Sequence, residues 1–368
     1  MENRIREIDF IRALGALSVI AIHVSGAYID SSRGAYFWNI GMRYAVPLFV
    51  IISGFVLFYV ENLKKSFSCI AFWLKRFKKL LIPYVIWNLI YLLYSTRHDV
   101  EKVSSDVPAF LKELGHNILT GVGTYHLYFV LIMLQLYLLY PIIRPFVKKY
   151  MNISLAVSLA ITAYSQAIIY LGVQNKAEVP QTYIPFFILF PVWIFFFVFG
   201  MYVAKNLEAL KEKVFNKSII LGFVWLLSYV LLIFDTKFTK TLDLSVKPSV
   251  LLYSVLSFLF FYSIALKKVN IQNRFGTLLD FLSEQSFLIY LSHVLFLKLI
   301  DSYSYIAGFG EFWENSRHQI LLYIATIIVS SGFAYIMSFS SITVFIGGVH
   351  KRYLPDYYQK KEKPGMGI

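Results

Sequence analysis

Apolar runs of roughly 18–22 residues recur along the whole chain, and that recurrence limits what it can fold into. A helix needs about 20 apolar residues to cross the hydrocarbon core of a bilayer. In lipid, every backbone polar group must be satisfied within the protein, so spanning segments are helices or closed barrels. The residue alternation of barrel strands is absent here. Ten runs are legible, at about 8–25, 44–60, 80–95, 125–143, 152–173, 183–203, 217–235, 249–266, 279–300 and 319–346. The expected fold class is therefore an all-α integral membrane protein, a bundle of about ten transmembrane helices. The last run is long, and a tilt or a break near Gly332 is expected.

Composition agrees with this class. The 368 residues are 58% hydrophobic and only 15% charged, whereas soluble domains carry about a quarter charged residues. The 34 Phe and 27 Tyr suit lipid-facing surfaces and interfacial belts. A net charge of +14 raises the question of nucleic acid. The positive residues sit in short loops between apolar runs, however, so no nucleic-acid partner is expected. Lys64, Lys65, Lys75, Arg76, Lys78 and Lys79 cluster in one such loop, and Arg144, Lys148 and Lys149 in another. The positive-inside rule then makes both termini cytoplasmic. Arg4 and Arg6 ahead of an apolar run resemble a signal peptide, but Asp9, Arg12 and His23 interrupt that run, so it reads as a retained first span. Cys69 is the only cysteine, so no disulfide forms within the chain. The longest loop, about 96–124, is expected outside, with a short helix near Val107–Leu119 folded over the outer opening. Residues 1–350 form one membrane domain, followed by a basic cytoplasmic tail at 351–368.

His23, His126 and His293 lie in or beside three different spans, at the same expected depth in the outer half of the membrane. Ionisable residues at such depth are costly and mark cavities and function. Arg12 and His23 are eleven residues apart on the first span, nearly three whole turns, so they share one face. The rise per residue separates them by about 16 Å. The bland alternative has Arg12 snorkelling to the headgroups and His23 capping a neighbouring helix. Asp30 follows His23 by seven residues and stays on that face if the helix continues, where it would orient the imidazole or receive the sugar.

Other motifs are individually weaker. Ser53 and Gly54 in the second span favour close helix approach, a packing role as much as a chemical one. The run from Phe72 to Tyr84, with Lys75, Arg76 and Lys79, is a basic amphipathic lead. It reads as an anchor on anionic lipid or as a phosphate site at the cytoplasmic mouth. His126 opens the fourth span. Ser283, Ser286, Tyr290 and His293 make one polar face on the ninth, read either as a hydrogen-bonded helix seam or as part of a site.

Taken in order, these motifs resemble the membrane-bound acyltransferase 3 family, bacterial surface-glycan O-acyltransferases. The resemblance is carried by Ile8-Asp9-Phe10-Ile11-Arg12-Ala13-Leu14 with His23, by Val46-Pro47-Leu48-Phe49 and Ser53-Gly54-Phe55, and by the basic run to Pro83-Tyr84. Tyr125-His126-Leu127-Tyr128-Phe129 and Ser286 through Tyr290 to His293 complete it. It implies a multi-pass protein of the bacterial plasma (inner) membrane. It also implies an acyl-coenzyme A co-substrate, most commonly acetyl-coenzyme A, and an acceptor that is a cell-surface glycan or its lipid-linked precursor. The family's essential histidine corresponds to His23 and its membrane arginine to Arg12. Its pair of arginines three apart corresponds to Arg76 and Lys79, so this chain departs from the pattern at the second position, and Lys75 stands near to share the task.

The expected site follows. His23, Arg12 and Asp30 form the catalytic group, with His23 as general base. Lys75, Arg76, Lys79 and Ser53 form the donor set. His126, Tyr290 and His293 bind the acceptor or stabilise the oxyanion. No metal is expected. No esterase-like segment follows the spans, so transfer is expected within the membrane domain or through a partner protein. A transporter or flippase of a glycan or lipid intermediate is the competing class, since intramembrane Arg and His also mark transport paths. A sensor or scaffold that keeps acyl-coenzyme A binding without transfer is a third.

Overall fold

The computed structural model describes residues 5–63, 66–98, 106–242, 245–268, 274–309, 312–313 and 315–351. The basic tail expected at 351–368 lies outside these apart from Lys351, as do Lys64 and Lys65. All regular structure among the described residues is helical. The first half runs α1 (Arg6–Gly26), α2 (Arg33–Gly41), α3 (Ala45–Asn62), α4 (Cys69–Ser95), α5 (Val107–Thr120), α6 (Tyr128–Lys149) and α7 (Met151–Val173). Then come α8 (Ile194–Lys205), α9 (Leu207–Phe215), α10 (Ser218–Thr239), α11 (Pro248–Lys268), α12 (Arg274–Glu284), α13 (Ser286–Ile306) and α14 (Ser316–Ser338). α2, α4 and α5 start at polar caps: Ser32, Ser68 and Asp106 side chains accept from the amides of Ala35, Ala71 and Ala109. The short helix expected near Val107–Leu119 is α5, tied to α4 by the Tyr84 hydroxyl donating to the Ile118 carbonyl at 2.9 Å.

Nine helices among the described residues are long and apolar enough to cross a membrane, counting Arg33–Asn62 as one. The protein is a multi-pass membrane protein. α10 turns Ile219, Phe223, Leu231 and Phe238 outward, as a lipid-facing helix does. α1 lies at the centre, packed on α2, α3, α11, α12, α13 and α14.

The structure corrects three expectations. The run at 183–203 is not one spanning helix. It holds two 3₁₀ turns, Phe186–Ile188 and Phe190–Val192, and then the twelve-residue α8. Pro185 and Pro191 lack backbone donors, and Leu189 between the two turns is extended. The freed groups are satisfied from neighbouring helices. Gln135 donates to the Ile188 carbonyl and accepts from the Phe190 amide; Thr162 does the same for Pro191 and Phe195. Irregular backbone at membrane depth is tolerated when protein side chains replace the ladder. α8 then crosses α3 closely: a Cβ on Gly54 would collide with the Phe197 carbonyl, and one on Gly200 with the Ile51 carbonyl.

The run at 279–300 divides at Gln285 into α12 and α13, so Ser283 does not share a helix with Tyr290 and His293. The Gln285 amide instead clasps the Val349 backbone in both directions, at 2.7 and 3.0 Å. Near Gly332 there is no break. α14 continues through it to Ser338, and a Cβ at Gly332 would meet no neighbour within 4 Å.

Candidate active site

α1 presents Arg12 to one cavity and His23 to another. The basic cavity, about 280 Å³, is lined by Arg12, Ser53, Arg76, Lys79 and Ser286 among others. The histidine cavity, about 590 Å³, is lined by His23, Arg43, Tyr125 and His126 within an apolar wall. Phe129 and Tyr290 line both. Their rings meet edge to face with centroids 5.5 Å apart, and Phe49 packs on Phe129 at 5.9 Å. Gly15 leaves room for this partition, since a Cβ there would stand 3.3 Å from the Phe49 ring.

The three histidines converge. The ring of His23 lies 5.2 Å from that of His293 and 6.0 Å from that of His126, and the latter two are 5.2 Å apart. Backbone carbonyls assign the protons of the two buried rings. His126 Nε2 donates to the Leu291 carbonyl at 3.4 Å. His293 Nδ1 donates to the Tyr290 carbonyl at 2.6 Å and to that of Ile289 at 3.2 Å. The remaining nitrogens, Nδ1 of His126 and Nε2 of His293, are buried with no protein partner. Each neutral ring therefore offers a lone pair, and its donor is already engaged. The Tyr290 hydroxyl is likewise committed, donating to the His126 carbonyl.

Supporting residues hold this geometry. The Tyr91 hydroxyl inserts into the α13 ladder, donating to the Leu291 carbonyl at 2.8 Å and accepting from the Leu295 amide at 3.0 Å. Asn39 of α2 donates to the Ile22 carbonyl at 2.9 Å and to Ser25 Oγ at 3.2 Å, bracing the turn that carries His23. Arg43 donates to the Asn39 side chain and to the Leu242 carbonyl, joining α2 to the loop after α10. That loop supplies Lys240, Thr241 and Val246 to the cavity wall. It is anchored by fully buried Lys247, bonded to Thr236 at 2.8 Å, Thr241 at 3.0 Å and Asp235 at 3.0 Å. Tyr170 and Ser249 complete the Asp235 carboxylate. Burial draws the Lys247 amine below its ordinary range, and the Asp235 partner opposes that shift.

In the basic cavity, Arg12 pairs with Asp9 at 3.7 Å, and Ser283 donates to the same carboxylate at 2.7 Å. Arg76 lies over the Phe72 ring at 5.8 Å. Of the residues expected at the site, His23, His126, Tyr290 and His293 come together in one group and Arg12, Ser53, Arg76 and Lys79 in the other. Two stand apart. Lys75 is exposed and does not line the basic cavity. Asp30 is exposed in the turn beyond α1 and makes no hydrogen bond to His23, because the helix ends at Gly26. No group of three or more His, Cys, Asp or Glu among the described residues is arranged to hold a metal ion.

Sequence reasoning assigned no role to Tyr91, Tyr125 or Phe129. Tyr84, Trp87 and Tyr91 recur at helical spacing along α4, an aromatic stripe with polar tips that marks a face turned to other helices. Tyr125 and Phe129 flank His126 in one motif, yet only the fold shows the Tyr125 ring 4.8 Å from that of His23.

A family model described as an acyltransferase domain matches residues 5–335. The curated protein "Putative membrane-bound acyltransferase YfiQ" of Bacillus subtilis (strain 168) is 25% identical over 319 residues, which is 80% of this chain and 81% of that protein. No solved structure matches the chain. The family match runs from the first turn of α1 into the last helix, through both cavities and the partition between them, and the chain belongs to the acyltransferase 3 family of membrane-bound acyltransferases.

Proposed function

We propose that this acyltransferase moves an acyl group, acetyl in the first instance, from cytoplasmic acyl-coenzyme A to a hydroxyl of a cell-surface glycan or its lipid-linked precursor. The observation that carries this is the pair of abutting cavities. One is basic, the other is lined by His23 and His126, each 5.2 Å from the ring of His293, and the two cavities share Phe129 and Tyr290. With both termini cytoplasmic, the basic cavity faces the cell interior and the histidine cavity the outer face. Arg76 and Lys79 then bind coenzyme A phosphates, and Arg12 and Ser53 line the path of the pantetheine arm. Arg and Lys are the usual phosphate ligands, Lys as a point charge where Arg grips bidentately.

The chemistry follows from the free lone pairs. His23 takes the proton of the acceptor hydroxyl as the oxygen attacks the thioester carbonyl. The carbon–oxygen bond forms and the carbon–sulfur bond breaks. The thiolate leaves and receives the proton from His23, giving an ester and coenzyme A. His126 Nδ1 and His293 Nε2 accept hydrogen bonds from neighbouring sugar hydroxyls and so align the attacking one. Neutral rings whose donors are taken by carbonyls bind an acceptor better than they bind an oxyanion. The same holds for Tyr290.

The test is thioester turnover by protein in nanodiscs given labelled acetyl-coenzyme A and a crude surface glycan. Label should move to the glycan with release of coenzyme A. His23→Ala should abolish transfer, and Arg76→Ala should raise the donor requirement. A wild type that neither binds nor consumes acetyl- or succinyl-coenzyme A would remove the donor from this scheme. Movement of a glycan intermediate across the bilayer without thioester consumption would make the protein a transporter.

A further inference from the structure

Beyond the histidines, a chain of contacts leads from the site to the exposed end of α4. The Tyr125 ring touches His23 at 4.8 Å between centroids, and the Lys298 ammonium lies 5.8 Å from the same ring. Lys298 is also 6.0 Å from the ring of Tyr94, whose other neighbour is the Arg97 guanidinium at 3.9 Å. Arg97 donates to the Tyr94 carbonyl at 2.7 Å, and the Tyr94 hydroxyl meets Ser302 at 3.2 Å, joining α4 to α13. Tyr125 is half exposed, so its ring is open on the side away from the cluster.

Two cations thus share one aromatic ring. Neither Arg97 nor Lys298 forms an ion pair with any described residue. Asp301, one turn beyond Lys298, is exposed and unpaired with it. Like charges held this close repel unless an anion joins them. Cation–π contacts hold both in place while leaving donors for a ligand. Arg97 is exposed at the end of α4, whereas Lys298 is half buried and its second ring contact is the tyrosine that touches His23. An anchor for lipid headgroups would project outward along the bilayer surface.

We propose that Arg97, Lys298, Tyr94 and Tyr125 form a recognition vestibule for an anionic acceptor, a sugar bearing a phosphate or carboxylate close to the hydroxyl that is acylated. The oxyanion binds between Arg97 and Lys298, the sugar lies against the open face of Tyr125, and the reacting hydroxyl reaches His23. This rests on the histidine cavity being the acceptor side.

The test uses the full chain in nanodiscs of zwitterionic lipid, with no coenzyme A present. Maltose, maltose 1-phosphate and a glucuronate-containing disaccharide are titrated by ligand-observed NMR. The anionic sugars should bind more tightly than maltose, and added salt should shrink the difference. Arg97→Gln and Lys298→Gln should each weaken anionic binding by about tenfold, the scale of one charge-assisted contact. Maltose should be unaffected. Lys298→Arg should retain the preference, and Arg76→Gln should not alter it. A phosphate preference without a uronate preference, or the reverse, identifies the anion. Equal binding of maltose and both anionic sugars overturns the proposal, as does a preference that survives in both variants. So does an effect seen only as altered retention in anionic-lipid nanodiscs. Because no donor is present, the result stands apart from acyl transfer. An anion preference without His23-dependent transfer would sink the transferase scheme alone.

Discussion

The hydroxyl of Tyr290 donates to the backbone carbonyl of His126, fixing the partition between the two cavities to the histidine cluster itself. One side chain from α13 therefore closes the basic cavity and positions the loop before α6. Tyr290→Phe keeps the ring and removes the bond. Transfer to the glycan should fall by about tenfold, in line with loss of one buried hydrogen bond. Water admitted to the thioester should raise acetyl-coenzyme A hydrolysis without acceptor. Unchanged coupling between hydrolysis and transfer, measured on the same samples, would show that the bond does not seal the partition.

The proton assignments of His126 and His293 make a directional prediction. Asn places its amide nitrogen near Nδ1 of histidine, and Gln places its own near Nε2. His293→Asn and His126→Gln should keep the bonds to the Tyr290 and Leu291 carbonyls but lose the free lone pairs. Both should fold, and the acceptor KM should rise by about tenfold with the donor KM unchanged. A donor defect of equal size would place these rings on the wrong side of the reaction.

Tyr91→Phe withdraws the hydroxyl from between Leu291 and Leu295. The α13 ladder can close across the gap, so stability should change by less than about 1 kcal/mol. Leu291 then directs its carbonyl along the helix and His126 loses its anchor. Activity should drop several-fold while the melting temperature in detergent barely moves. A large melting shift with normal activity would make Tyr91 a purely structural residue.

Lys247→Met strands the Asp235 carboxylate without its cation. Breaking a buried pair from one side costs about 3 kcal/mol. The melting temperature should fall, and Lys240 and Thr241 should lose their place in the cavity wall. The double variant Asp235→Asn with Lys247→Met should recover much of the loss. Without recovery, the charge pair is not what holds the loop.

Much of this was legible beforehand because bilayer thickness and helical period are fixed quantities. Arg12 and His23 share a face by arithmetic, and each lines a cavity. α5 and five of the ten expected spans, at 8–25, 44–60, 152–173, 217–235 and 249–266, lie within four residues of their expected bounds. The break at 183–203 was not legible, because hydropathy averages over Pro185 and Pro191 and does not register their missing donors. The condition set for Asp30, that the first helix continue past it, is not met, because that helix stops at Gly26.

By itself the sequence determined the class of solvent, the helical architecture and the residues able to carry charge into lipid. These depend on length, hydropathy and period, which are local. The tertiary structure alone decided which helices meet, and with that the single cluster of His23, His126 and His293, their tautomers and the Phe129–Tyr290 partition. Those features depend on carbonyls and rings brought together from α1, α4, α6 and α13, distant in the chain, and no local pattern encodes that meeting.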